Sequence, residues 1–123
     1  MALALAGGCT SAHNSLGTGS SPCFSALPVA EAAVHHQGAL LGLRRLPVPK
    51  LGDRLSHQVG PVTPGELVCV AAFRGEYRPG SVDHEVRPMA GRYATVVVTS
   101  RASTQMVAAT FVSDRLPLRF RHL

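Results

Sequence analysis

Three observations predict an α+β fold in which one amino-terminal helix packs on a single antiparallel sheet of about four to five strands. Apolar residues take helical spacing once, early in the chain, at Phe24, Leu27, Ala30 and Val34. Most of the chain beyond them that has a regular pattern is β-branched or alternates apolar with polar residues, as strands do. No second helical pattern supplies the crossovers that parallel strands would need.

The elements follow in order. Ser21-Pro22 has the form of an N-cap with proline at the first helical position, and Gly38 after His35-His36-Gln37 is a stop, giving a helix of about three to four turns. Pro28 removes a backbone donor inside that span, which moves the expected start toward Ser25. Ala39 to Leu46 reads as a first strand, ended by Pro47 and Pro49. A connection rich in Pro and Gly then runs to Gly65, and the near-continuous apolar run from Glu66 to Phe73 fits the centre of the sheet. Arg74 to Gly91 is polar, with a turn at Pro79-Gly80 and Pro88 forbidding a long helix. Arg92 to Thr99 and Gln105 to Val112 form a hairpin across a loop over residues 100–104. Leu116, Leu118 and Phe120 alternate with Pro117, Arg119 and Arg121, the pattern of a protected edge strand. The whole order is similar in outline to cystatin-type topology, an analogy of shape alone.

At 123 residues and 46% hydrophobic content the chain fills one domain with one modest core. No apolar run approaches the roughly 20 residues that cross a bilayer. The formal charge is +5, and all basic residues but Lys50 are arginine. Scarce lysine beside abundant Arg, Ala, Gly and Pro is also the composition of a GC-rich genome, so the charge reads as bias and no nucleic-acid partner is expected. A cytosolic nucleic-acid binder using the arginine surplus is a remoter alternative.

Every Asp, Glu, Lys and Arg lies at or beyond Glu31, and Met1 to Gly8 is wholly apolar or small. Small residues just before Cys9 resemble the lipobox of bacterial lipoproteins, although Ala6 stands where the strongest lipoboxes have leucine. A basic n-region and most of an h-region are missing, so residues 1–8 read as the remnant of a truncated signal peptide. Residues 9–21 are Ser/Gly-rich and uncharged, as a flexible tether is, and residues 22–123 then form the single domain. A cytosolic amino terminus with an incidental cysteine is the plainer alternative.

The chain is similar to the small lipoproteins of mycobacteria and related actinobacteria. The likeness rests on Gly8-Cys9, on Ser21-Pro22-Cys23-Phe24-Ser25-Ala26-Leu27-Pro28, and on Val68-Cys69-Val70-Ala71-Ala72-Phe73-Arg74-Gly75. It implies location and anchoring and no activity.

Three cysteines leave one unpaired in an exported protein. With Cys9 given to a lipid, Cys23 and Cys69 can form one disulfide, which export would permit. Two buried thiols are the alternative. No CxxC and no Cys/His ligand spacing is present, so neither a metal nor another cofactor is expected.

The other constellations are weaker. His35-His36 could touch a metal, but neighbours on a helix point about 100° apart. Asp83-His84-Glu85 has two carboxylates beside an imidazole, and reads more simply as a solvated loop. No G-x-S-x-G elbow or phosphate loop occurs. Cys23 at a helix start could carry thiol chemistry. Arg115, Arg119, Arg121 and His122 around Phe120 make a basic patch suited to anionic lipid or envelope glycan. The expected function is a non-enzymatic binding or interaction module, lipid-anchored at the outer face of the cytoplasmic membrane, whose partner is an envelope protein, anionic lipid or glycan. The alternative is a soluble envelope enzyme using a thiol.

Overall fold

The computed structural model describes residues 23–51, 59, 66–101 and 104–115. One helix, α1 (Leu27–Ala33), lies on four antiparallel strands, β1 (Ala39–Pro47), β2 (Leu67–Tyr77), β3 (Gly91–Arg101) and β4 (Thr104–Ser113), which neighbour one another in chain order. This is the expected α+β architecture. The fifth expected strand, at Leu116 to Phe120, lies outside the described residues.

The helix is shorter than its apolar spacing suggested. Residues 23–26 form a 3₁₀ turn and α-helical geometry begins only at Leu27, which puts Pro28 in the first turn, where its missing N–H removes no intrahelical bond. At the other end the helix stops at Ala33, before the expected Gln37, because His35 and His36 already adopt left-handed backbone with φ of 55° and 58°. His35 N–H donates to the Ala32 carbonyl at 3.0 Å and His36 N–H to the Glu31 carbonyl at 2.8 Å. That pair of bonds is the Schellman arrangement, with histidine in the place that glycine usually takes. The two remaining orphan carbonyls are also met, Val34 by Gln37 N–H at 3.0 Å and Ala33 by Asp83 N–H at 2.7 Å.

Cross-strand partners share a face of the sheet. Leu43, Ala71, Val96 and Thr110 pair in succession across the four strands and lie on the side that carries α1. There they meet Ala26, Ala30, Ala33 and Val34, all buried. The opposite face gathers Leu46, Val68, Val70, Ala72 and Val97 under Val59, with Val48 and Leu51 of the 3₁₀ turn after β1 packed against them. Apolar cover on both faces explains why β2 has a run of apolar residues and does not alternate. Val68, Val70, Val96 and Val97 are all at most 1% exposed, and each such burial is worth about 1.5–3 kcal/mol.

Two boundaries moved. β2 continues past Phe73 to Tyr77, through a register shift between Arg74 and Tyr77. The β3–β4 pairing continues to Arg101 opposite Thr104, so the connection shrinks from five residues to two. Pro79-Gly80 is a turn as expected, with Gly80 at φ 81° and Ser81 N–H donating to the Arg78 carbonyl, the pattern of a type II turn.

Candidate binding groove

A groove of about 400 Å³ runs between α1, the Asp83–His84 turn and the outer side of β4. Val29, Ala32 and Val107 give it apolar walls, and Asp83 and Gln105 mark its polar ends. The side chains at Ala32 and Ala33 are small and leave space between the helix and the strand unfilled.

Two segments that stand far apart in sequence meet beside it. His35 Nε2 donates to Asp83 Oδ1 at 2.8 Å, across 48 positions. Both side chains are about half exposed, 51% and 56%, so the pair adds at most about 1 kcal/mol. With the Asp83 N–H bond to Ala33 it ties the turn to the end of α1. His36 and His84 are exposed and take no part in this pair. Glu85 is committed elsewhere: its Oε1 accepts from Gly80 N–H at 2.9 Å and its Oε2 from Met89 N–H at 3.2 Å, which closes the loop on itself. His35 and Asp83, which stand in two separate motifs of the sequence, are thus joined in the fold.

From Asp83 the chain passes onto the sheet. Thr110 N–H donates to the His84 carbonyl at 3.0 Å and Val86 N–H to the Thr110 carbonyl at 3.1 Å, a parallel bridge centred on Glu85. Gln105 fixes the far end of the groove by donating from Nε2 to Ser25 Oγ at 3.2 Å and Ser100 Oγ at 3.3 Å. The groove residues Val29, Ala32 and Gln105 were not singled out in the sequence. The nearest signal is Met106, a large apolar residue on the opposite face of the same strand, 54% exposed.

Cys23 and Cys69 form a disulfide, with Cα atoms 5.5 Å apart. Cys23 is fully buried and Cys69 partly so, beside a second cleft lined by Arg45, Leu67, Val98 and Ser100. Neither sulfur is a thiol in this state, and the alternative of two buried thiols is set aside. Of the basic patch, Arg115 is exposed and its carbonyl accepts from Ser113 Oγ at 2.6 Å, while Arg119, Arg121 and His122 lie outside the described residues, as does Cys9.

Among the described residues no group of three or more His, Cys, Asp or Glu side chains could hold a metal ion, and no helix is long and apolar enough to cross a membrane. The His35–Asp83 pair could orient an imidazole as a base, yet among the described residues no hydroxyl or thiol nucleophile is in hydrogen-bond contact with it. No protein-family model, curated protein or solved structure matches the chain. The arrangement offers surface, backbone edge and shape for binding.

Proposed function

We propose that the protein is a lipid-anchored, non-enzymatic binding module of a bacterial cell envelope, held by an acyl group on Cys9 at the outer face of the cytoplasmic membrane. The observation that carries this reading is the Cys23–Cys69 disulfide. Disulfides persist in oxidising compartments, and this one leaves Cys9, behind its small apolar residues, as the single remaining cysteine. The likeness to actinobacterial lipoproteins implies the same location. The bond also removes both candidate thiols from nucleophilic chemistry, which weighs against a thiol enzyme. What the module offers its partner, an envelope protein, anionic lipid or glycan, is the groove beside α1.

The test is intact-mass analysis of the protein from a bacterial membrane fraction, with Cys9→Ser alongside. The expected result is a diacylglycerol-sized mass increment that Cys9→Ser abolishes, together with release of the variant from the membrane. Unmodified Cys9 in soluble cytosolic material, with Cys23 and Cys69 reduced, would overturn the reading.

A further inference from the structure

We propose that the outer edge of β4 at Gln105 and Val107 binds an extended peptide segment of a partner protein, which adds to the sheet in line with His84–Val86. In an antiparallel ladder alternate residues turn their N–H and C=O away from the partner strand. Thr99 Oγ1 donates to the Met106 carbonyl at 3.4 Å, so that carbonyl faces inward to β3. Its neighbours Gln105 and Val107 therefore present their backbone groups outward. Further along the strand Thr110 does the same, and there the outward groups are bonded to His84 and Val86. The chain thus already makes one isolated parallel bridge on part of this edge, at Glu85. Among the described residues no backbone bond meets it at Gln105 or Val107.

The groove fits what such a strand would carry. A peptide hydrogen-bonded to Gln105 and Val107 runs along the groove, and every second side chain turns toward Val29 and Ala32 of α1. The recess left by Ala32 and Ala33 accepts a Val-, Leu- or Phe-sized group. Met106 stands exposed on the other face, for the side chains between. The partner is therefore a segment alternating apolar with polar residues, held by main-chain bonds for affinity and by the helix wall for selection. The opposite edge, β1, carries Arg44 and Arg45, charges of the kind that discourage strand addition.

This inference rests on the domain's being a binding module, but its test is independent of Cys9. The full chain, with Cys9→Ser for solubility, is titrated with acetylated octapeptides alternating Val, Leu or Phe with Thr and Lys, and backbone amides are followed by NMR and hydrogen exchange. The expected result is slowed exchange at the Gln105 and Val107 amides, with Met106 unchanged. Peptides N-methylated at alternate residues, and the variant Ala32→Glu, lose affinity by about tenfold or more, since each removes the edge bonds or fills the recess. Ala32 is exposed, so that variant folds. Val107→Pro is the second variant, because proline is tolerated where a strand's N–H faces outward. Val107 also packs on the core, so the variant should lose some stability while keeping the native fold, and should lose the peptide. Three results overturn the site: no protection at Gln105 and Val107 with any peptide, equal binding of the N-methylated peptides, or protection before peptide is added, whether from the chain's own terminus or a second copy. Acylated Cys9 without peptide binding removes this site and leaves the module. Peptide binding without acylation does the reverse.

Discussion

Tyr77 donates a 2.8 Å hydrogen bond from its hydroxyl to the carbonyl of Gln37, joining the end of β2 to the turn that follows α1. The phenol is 2% exposed, and burial raises its pKa above the ordinary 10.0. Gly38 lies so close that a Cβ there would strike both the Tyr77 hydroxyl and the Arg74 carbonyl, and its φ of 86° suits glycine alone. The exit from the helix is thus pinned by a bond that needs the next residue to have no side chain.

Tyr77→Phe should cost about 1 kcal/mol at neutral pH, the net worth of one such bond. The folded pKa is raised, so the native state holds the phenol proton more tightly than the unfolded chain. Stability is therefore full below the unfolded pKa and falls as pH rises through 10 toward the folded value. Urea titrations at pH 7 and above pH 10 should show the gap between wild type and Tyr77→Phe narrowing. Gly38→Ala should be worse than Tyr77→Phe, since it adds strain to the loss of the bond.

Thr110 is a core position with a surplus hydroxyl. It is 0% exposed, on the face of the sheet under α1, and its Oγ1 has no hydrogen-bond partner among the described residues. A buried unpaired hydroxyl costs about 1–3 kcal/mol. Thr110→Val keeps the shape and should raise the unfolding free energy by about 1 kcal/mol with the denaturant slope unchanged. A loss of stability would mean that the hydroxyl holds a bound water.

The strands were legible because their signals are local. Pro47, the Pro79-Gly80 turn and the β-branched runs each act within a few residues, and β1, β2 and the β3–β4 hairpin lie where those signals put them, although β2 runs on to Tyr77 and the hairpin connection is shorter. The end of α1 was not legible, because glycine marks a stop by propensity, whereas here histidines take the left-handed positions and the cap is completed by Asp83, about fifty positions away. The disulfide could be reached by counting cysteines. The groove could not, since its walls come from α1, a distant turn and β4, and two of its important residues are alanines, which carry no pattern. The second apolar face was visible only as the missing alternation in β2.

His36 offers a test of the left-handed turn. It is exposed at φ 58°, a conformation that costs a non-glycine residue about 1–2 kcal/mol. Glycine removes that strain but adds unfolded-state entropy of about 0.5–1 kcal/mol. His36→Gly should therefore stabilise by about 0.5 kcal/mol, read as a small rise in thermal midpoint. His35→Gly should give less, because it also loses the contact with Asp83.

The disulfide makes a kinetic prediction. Exchange needs a thiolate to attack one sulfur in line with the bond while the other leaves. Cys23 is 0% exposed, so the attack must come at Cys69, and the departing thiolate is then Cys23, in an apolar core. Burial raises a thiol's pKa, and a high-pKa thiol is a slow leaving group. Reduction should accordingly wait for the 3₁₀ turn and α1 to open, and its rate with dithiothreitol should climb with sub-denaturing urea. Once the bond is gone, the chain-entropy model puts the lost stability at about 4 kcal/mol for a loop of this size, the separation being 46 residues. The double variant Cys23→Ala/Cys69→Ala should show that loss in urea unfolding. Rapid reduction independent of urea would instead mean that Cys69 is open to attack through the cleft beside Arg45, and would restore thiol chemistry as a function of this protein.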